Sequence, residues 1–143
     1  MAATTRLAVL LCAGALTLSA CGSTTKDSTS DFKGDQKAVA QTVEDLQSAS
    51  KKGDESKICT ELLAPALLTK IKAAQKAGCE PAIKDALKDV DSTELTVKKV
   101  AISGTSATAT VASDVGKDDD RIDTLTLVKV GNAWKISELG SAS

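Results

Sequence analysis

Leu95-Thr96-Val97-Lys98-Lys99-Val100-Ala101-Ile102-Ser103-Gly104-Thr105-Ser106-Ala107-Thr108-Ala109-Thr110-Val111 is the stretch whose reading decides the fold. Apolar residues alternate at Leu95 and Val97, and again at Val100 and Ile102. A period of two belongs to a strand with one buried face. The phase slips by one residue at Lys98-Lys99, which predicts a bulge or bend within one long strand. Gly104 marks the following turn. Ala107, Ala109 and Val111 then alternate with Thr108 and Thr110 in a second strand.

The pattern continues towards the C-terminus. Ile122 to Val130 reads as a third strand, Gly131-Asn132 as a two-residue hairpin turn, and Ala133 to Leu139 as a fourth strand. Before Val90 the period is helical. Val39, Val43 and Leu46 form one stripe on a helix expected from Asp35, as N-cap, to about Lys52, where Gly53 stops it. Asp54 caps a second helix carrying Ile58, Cys59, Leu62 and Leu63. Pro65 starts a third, with Leu67, Ile71 and Ala74 leading to Gly78, and Pro81 opens a fourth with Ile83 and Leu87 one turn apart. Helices followed by an antiparallel meander predict an α+β domain, with the N-terminal helices packed on one face of a curved sheet of about four strands.

The N-terminus is organised differently. Arg6 precedes an apolar run, Leu7 to Leu18, that is far shorter than the roughly 20 residues of a membrane-spanning helix. The run closes on Leu18-Ser19-Ala20-Cys21, which resembles a bacterial lipobox. Small side chains at Ser19 and Ala20 fit a narrow peptidase cleft, and the Cys21 thiol can carry diacylglycerol. The resemblance implies cleavage between Ala20 and Cys21 and a mature chain that is lipidated and palmitoylated at Cys21. A plain secretory signal is the alternative. The expected organisation is a signal peptide over 1–20, lipidated Cys21 with a flexible tether over 21–34, and one α+β domain over 35–143. The Ser/Thr/Gly/Lys/Asp stretch Gly22 to Gly34 spans roughly 20 Å as a flexible chain. Phe32 is its one aromatic, either packed on the domain or exposed.

Composition narrows the functions. The chain has 18 Lys and Arg against 19 Asp and Glu, and loss of Arg6 with the signal leaves 17 against 19, a net charge near −2. That disfavours nucleic acid, which needs a clustered basic surface. There is no His and no Tyr. An ordinary imidazole general base, a Ser-His-Asp triad and a common imidazole metal site are therefore excluded. No cofactor or metal is expected, and the domain reads as a non-enzyme. The remaining catalytic alternative is an isomerase- or hydrolase-type enzyme resting on carboxylates such as Asp114 or Asp123.

Cys12 leaves with the signal and Cys21 takes lipid, so Cys59 and Cys79 remain. In an oxidising compartment they are expected to pair, tying the second helix to the junction of the third and fourth. A redox or metal pair is disfavoured by the absence of Cys-x-x-Cys spacing.

Other charged groups read as surface. Lys117-Asp118-Asp119-Asp120-Arg121 lacks the spacing of a calcium loop and reads as a solvated hairpin tip. Lys70, Lys72, Lys76, Lys84 and Lys88 make the helical middle basic. They read as the wet face of amphipathic helices, with anionic headgroups as the alternative contact.

The order Gly53-Asp54, Cys59-Thr60-Glu61-Leu62-Leu63-Ala64-Pro65, Gly78-Cys79 and Gly131-Asn132-Ala133-Trp134-Lys135-Ile136 resembles small secreted actinobacterial lipoproteins of the nuclear-transport-factor-2-like superfamily. The resemblance spans about Asp35 to Leu139. It implies a reduced cystatin-like or nuclear-transport-factor-2-like cone, with helix where larger relatives place an early strand pair. It also implies a membrane-anchored extracytoplasmic binding or accessory module, held by its N-terminal lipid on the outer face of the cell membrane, for an envelope protein or an apolar ligand. The residues expected to line an apolar hollow are Leu67, Ile71, Leu125, Leu127 and Trp134. A structural, antigen-like envelope protein with no small ligand is the alternative.

Overall fold

The computed structural model describes residues 28–88, 94–114 and 120–140. Among them, α1 spans Gly34–Lys52, α2 spans Glu55–Lys57, α3 spans Pro65–Ala74 and α4 spans Cys79–Lys88. The strands are β1 (Glu94–Ser103), β2 (Ser106–Asp114), β3 (Asp120–Val130) and β4 (Ala133–Glu138). The strands form one antiparallel meander in the order β1-β2-β3-β4. This is the α+β architecture that the change of period predicts.

The β1–β2 register shifts between Val97 and Lys99, where the sequence slips phase. The bulge lets Val97 and Val100 both point into the core while Lys98 and Lys99 both face solvent. Register then sorts the central strands. Ala107 pairs with Leu127 and Ala109 with Leu125 on the buried face, whereas Thr108 pairs with Thr126 and Thr110 with Thr124 on the other face.

The faces of α1 explain its seat. Val39, Ala40 and Val43 are fully buried against the sheet. Gln36 and Gln47, three turns apart, lie on one flank and reach β1: Gln36 Nε2 donates to the Val100 carbonyl at 3.1 Å. The Gln47 amide, turned to satisfy both its ends, donates to the Leu95 carbonyl at 3.1 Å and accepts from the Leu95 N–H at 3.2 Å. Thr42 lies on the other flank and donates to the Trp134 carbonyl of β4 at 3.2 Å. Asp35, about two turns earlier, pairs with Lys129 at 3.0 Å. One helix therefore bonds to both edge strands of the sheet.

Several local details depart from expectation. Helix α1 begins at Gly34 after Lys33, and Asp35 is not its cap; its carboxylate is engaged by Lys129. At the other end Gly53, in the left-handed region at φ 64°, closes the helix as its Gly suggested. Asp54 caps α2 by accepting from the Lys57 N–H at 3.0 Å. A π-helical turn over Ile58–Leu62 then follows, closed by Leu63 N–H on the Ile58 carbonyl at 3.1 Å. Pro65 does begin α3, which stops at Ala74 short of Gly78. The fourth helix starts at Cys79, ahead of Pro81. Leu63 and Ala64 run beside β4, with the Ala64 N–H on the Ile136 carbonyl at 2.8 Å. Gly140 lies against the β3 backbone, where a Cβ would overlap the Thr124 carbonyl.

The expected domain start at residue 35 is also corrected. Ser28 and Thr29 are buried, and a 3₁₀ turn over Thr29–Asp31 follows. Glu44 Oε1 accepts from the Ser28 N–H at 2.8 Å, the Ser28 hydroxyl at 3.2 Å and the Thr29 N–H at 3.2 Å. The Ser28 hydroxyl oxygen in turn accepts from the Val97 N–H at 3.2 Å. Phe32 packs against the core. The tether expected over 21–34 is thus folded onto the domain from Ser28 onward, and its residues 21–27 lie outside the described residues.

Replacing Gln47 by Leu removes both partners of Leu95 in a buried setting. It should cost about 1–3 kcal/mol, the penalty for stranding buried backbone groups. Gln36→Leu, on an exposed side chain, should cost less than about 1 kcal/mol. Urea unfolding of the two variants checks the difference. Equal, negligible losses would show that Gln47 does not close the strand edge.

Candidate functional site

The five residues expected to line a hollow do not form one. Leu127 is 0 %, Trp134 4 % and Leu125 7 % exposed, all inside the continuous core with Val39, Val43 and Ile136. Leu67 and Ile71 are half-buried on α3 and pack against that core from outside. Neither of the two hollows found among the described residues, one beside the disulfide and one at the β1–β2 hairpin, is lined by any of the five. The physical reason is the seat of α1. Ala107 and Ala109 are small residues on the inner face of β2, so the Val39–Ala40–Val43 stripe fills the space that a ligand would need.

Trp134 shows the same closure. Its ring lies under Lys129 Nζ, 5.6 Å from the centroid, and its Nε1 is buried without a hydrogen-bond partner. Lys129 is held there by Asp35, so the aromatic face is covered by an ion pair and not presented for stacking.

The larger of the two hollows is an open cleft of about 530 Å³ beside the disulfide. Cys59 and Cys79 are bonded, with their Cα atoms 6.1 Å apart. The bridge joins the π-helical turn to the first residue of α4, the pairing expected once Cys12 and Cys21 are assigned elsewhere. Thr60, Leu68, Lys72 and Glu80 line the cleft around it. Helix α3, which forms one wall, has no fully buried residue. Lys135 Nζ donates to the Thr60 and Glu61 carbonyls at 3.2 and 2.8 Å, so the end of the π-helical turn is anchored to β4. A smaller hollow of about 140 Å³ lies at the β1–β2 hairpin, between Ile102, Ala107 and Thr126.

Of the carboxylates considered for catalysis, Asp123 is bound by Arg121 at 3.1 Å. Asp114 is the last residue of β2, three positions beyond the Val111 that pairs with Asp123. Asp85 is lowered from its ordinary value by a hydrogen bond and charge attraction from Lys88, at 2.7 Å on the exposed face of α4. A general acid needs the opposite direction. Among the described residues no three His, Cys, Asp or Glu side chains gather closely enough to hold a metal ion. Lys117, Asp118 and Asp119 of the expected charged hairpin tip, together with Ala20 and Cys21, lie outside the described residues. Comparison of the chain with protein families, curated proteins and solved structures returns no match.

The disulfide carries the cleft. Replacing Cys59 and Cys79 by Ser should lower the unfolding free energy by about 3 kcal/mol, as expected for a closed loop of this length. Urea unfolding with and without reductant measures it. A loss below about 1 kcal/mol would mean that β4 and Lys135 hold the turn without the bridge.

Proposed function

We propose that this chain is an extracytoplasmic lipoprotein, anchored through a diacylglyceryl group on Cys21, whose small α+β domain is a non-catalytic binding or accessory module for an envelope protein. The observation that carries this reading is the run Leu18-Ser19-Ala20-Cys21 after a short apolar stretch. The Cys59–Cys79 disulfide supports it, because such bonds persist in oxidising compartments. The order of helices and strands is in keeping with a reduced member of the nuclear-transport-factor-2-like superfamily.

The filled interior refines the partner. An enclosed apolar ligand would need room that Val39, Val43, Leu127 and Trp134 already occupy. Recognition then belongs to the surface, and the open cleft beside the disulfide is the larger of the two concave places described on it. The same filled core favours one second reading, a structural envelope protein without a small ligand. Cross-linking in intact membranes separates the two, since a dedicated module yields a single stoichiometric adduct and a structural protein does not.

Ser28 follows Cys21 by seven positions. At full extension seven residues reach at most about 25 Å. The domain is thereby kept close to the headgroups. Two acyl chains on Cys21 suffice for stable anchoring. Intact-mass analysis of the membrane-extracted protein should show a diacylglyceryl adduct on a chain beginning at Cys21. The Cys21→Ala variant should accumulate as the unprocessed precursor. An unmodified wild-type cysteine would overturn the anchor.

A further inference from the structure

We propose that the surface around the chain's entry into the domain, built by Lys98 and Lys99 of the β1 bulge with Lys51 of α1, rests on anionic lipid headgroups. The inference builds on the lipid anchor at Cys21 and specifies which face that anchor brings to the membrane.

Three contacts fix the position of the entry. The Ser28 hydroxyl oxygen accepts from the Val97 N–H, so the chain enters the domain immediately beside the bulge. The next two residues, Lys98 and Lys99, are both exposed. Ordinary alternation would turn one of them toward the core; the extra residue of the bulge turns both to solvent. On the helix side, Glu44 holds Ser28 and Thr29, Gln47 lies one turn on against Leu95, and Lys51 lies one further turn on, 3.0 Å from the Gln47 amide oxygen. Lysines thus flank the entry from both the strand and the helix.

The charge there is available. Among the described residues Lys51, Lys98 and Lys99 form no ion pair. Of the acids near the entry in the chain, Glu44 already accepts three hydrogen bonds from the entry segment, and Asp27, Asp31, Asp45 and Glu94 are the others. The other basic surface, on α3 and α4, is partly neutralised: Lys70 faces Glu138 at 3.9 Å and Lys88 holds Asp85. Its helix α3 also packs on the β4 side of the sheet, away from the entry on β1. Seven residues from Cys21 to Ser28 reach at most about 25 Å, so the entry stays within reach of the surface. The partner is an anionic bilayer, because Lys51, Lys98 and Lys99 are exposed ammonium groups that line neither of the hollows among the described residues, the form in which polybasic surfaces read headgroups.

The test uses the chain from Gly22 onward, which keeps every described residue but neither the apolar run Leu7 to Leu18 nor an acylated Cys21, and vesicles of phosphatidylglycerol mixed equally with phosphatidylcholine. Co-sedimentation should show binding that is absent on pure phosphatidylcholine and lost at high salt. Each lysine near such a surface contributes about five-fold. Lys98→Glu with Lys99→Glu should therefore weaken binding by about 25-fold or more, with an unchanged thermal melt. Lys84→Glu with Lys88→Glu on α4 should leave it within about two-fold. Absence of anionic-vesicle binding, or loss through the α4 pair instead, overturns the proposal; so does binding without lipid selectivity, which would point to apolar insertion and not to the lysines. Vesicle retention of the lipidated wild-type chain in high salt reports the anchor separately, so either idea can fail alone.

Discussion

The outer edge of β1 is the constraint on which this structure depends. A first strand leaves a row of backbone N–H and C=O groups without a strand partner, which invites pairing with another chain. Here Gln47 answers both groups of Leu95, Ser28 answers the N–H of Val97, and Gln36 answers the carbonyl of Val100. Those partners come from one flank of α1 and from the segment that precedes it. The helix must therefore lie along β1, and once it does, its valine stripe can only fill the sheet's inner face. Thr42 on the far flank then meets β4. Edge protection, core filling and the place where the chain enters the domain are consequences of one seat.

Much of this was legible in residue spacing. Alternation at Leu95, Val97, Val100 and Ile102 marks the strand and its bulge, because two adjacent lysines between valines leave no other way to keep both charges in water. Gly53, Asp54 and Pro65 mark helix ends by backbone conformation and capping, which act locally. The pairing of Cys59 with Cys79 follows once the other two cysteines are assigned elsewhere.

The rest depends on contacts between distant residues. Ser28 and Thr29 read as tether because they are small and polar; only the Glu44 carboxylate and the unpaired Val97 N–H, 16 and 69 positions from Ser28, explain their burial. The π-helical turn escapes a helical reading because Ile58, Cys59, Leu62 and Leu63 fit an ordinary apolar stripe, and the wider ring appears only when Leu63 docks beside Ile136. The expected hollow failed for a related reason. Leu125, Leu127 and Trp134 do share a face, but the alanines of β2 let α1 settle onto it and close the space. Asp35 looked like a cap, and its long-range partner Lys129 assigns it to covering Trp134 instead.

The most direct measurement of this account is residue-resolved amide hydrogen exchange on the folded chain. Leu95 and Val97 have no strand partner on their outer side. If Gln47 and Ser28 close that edge, their amides should exchange only through opening of the whole domain, with protection close to that of Ala107 and Ala109 on the central strand. Exchange at Leu95 and Val97 as fast as in exposed turns such as Gly104-Thr105 would contradict it, and would mean that the edge of β1 is open and α1 is not what closes it.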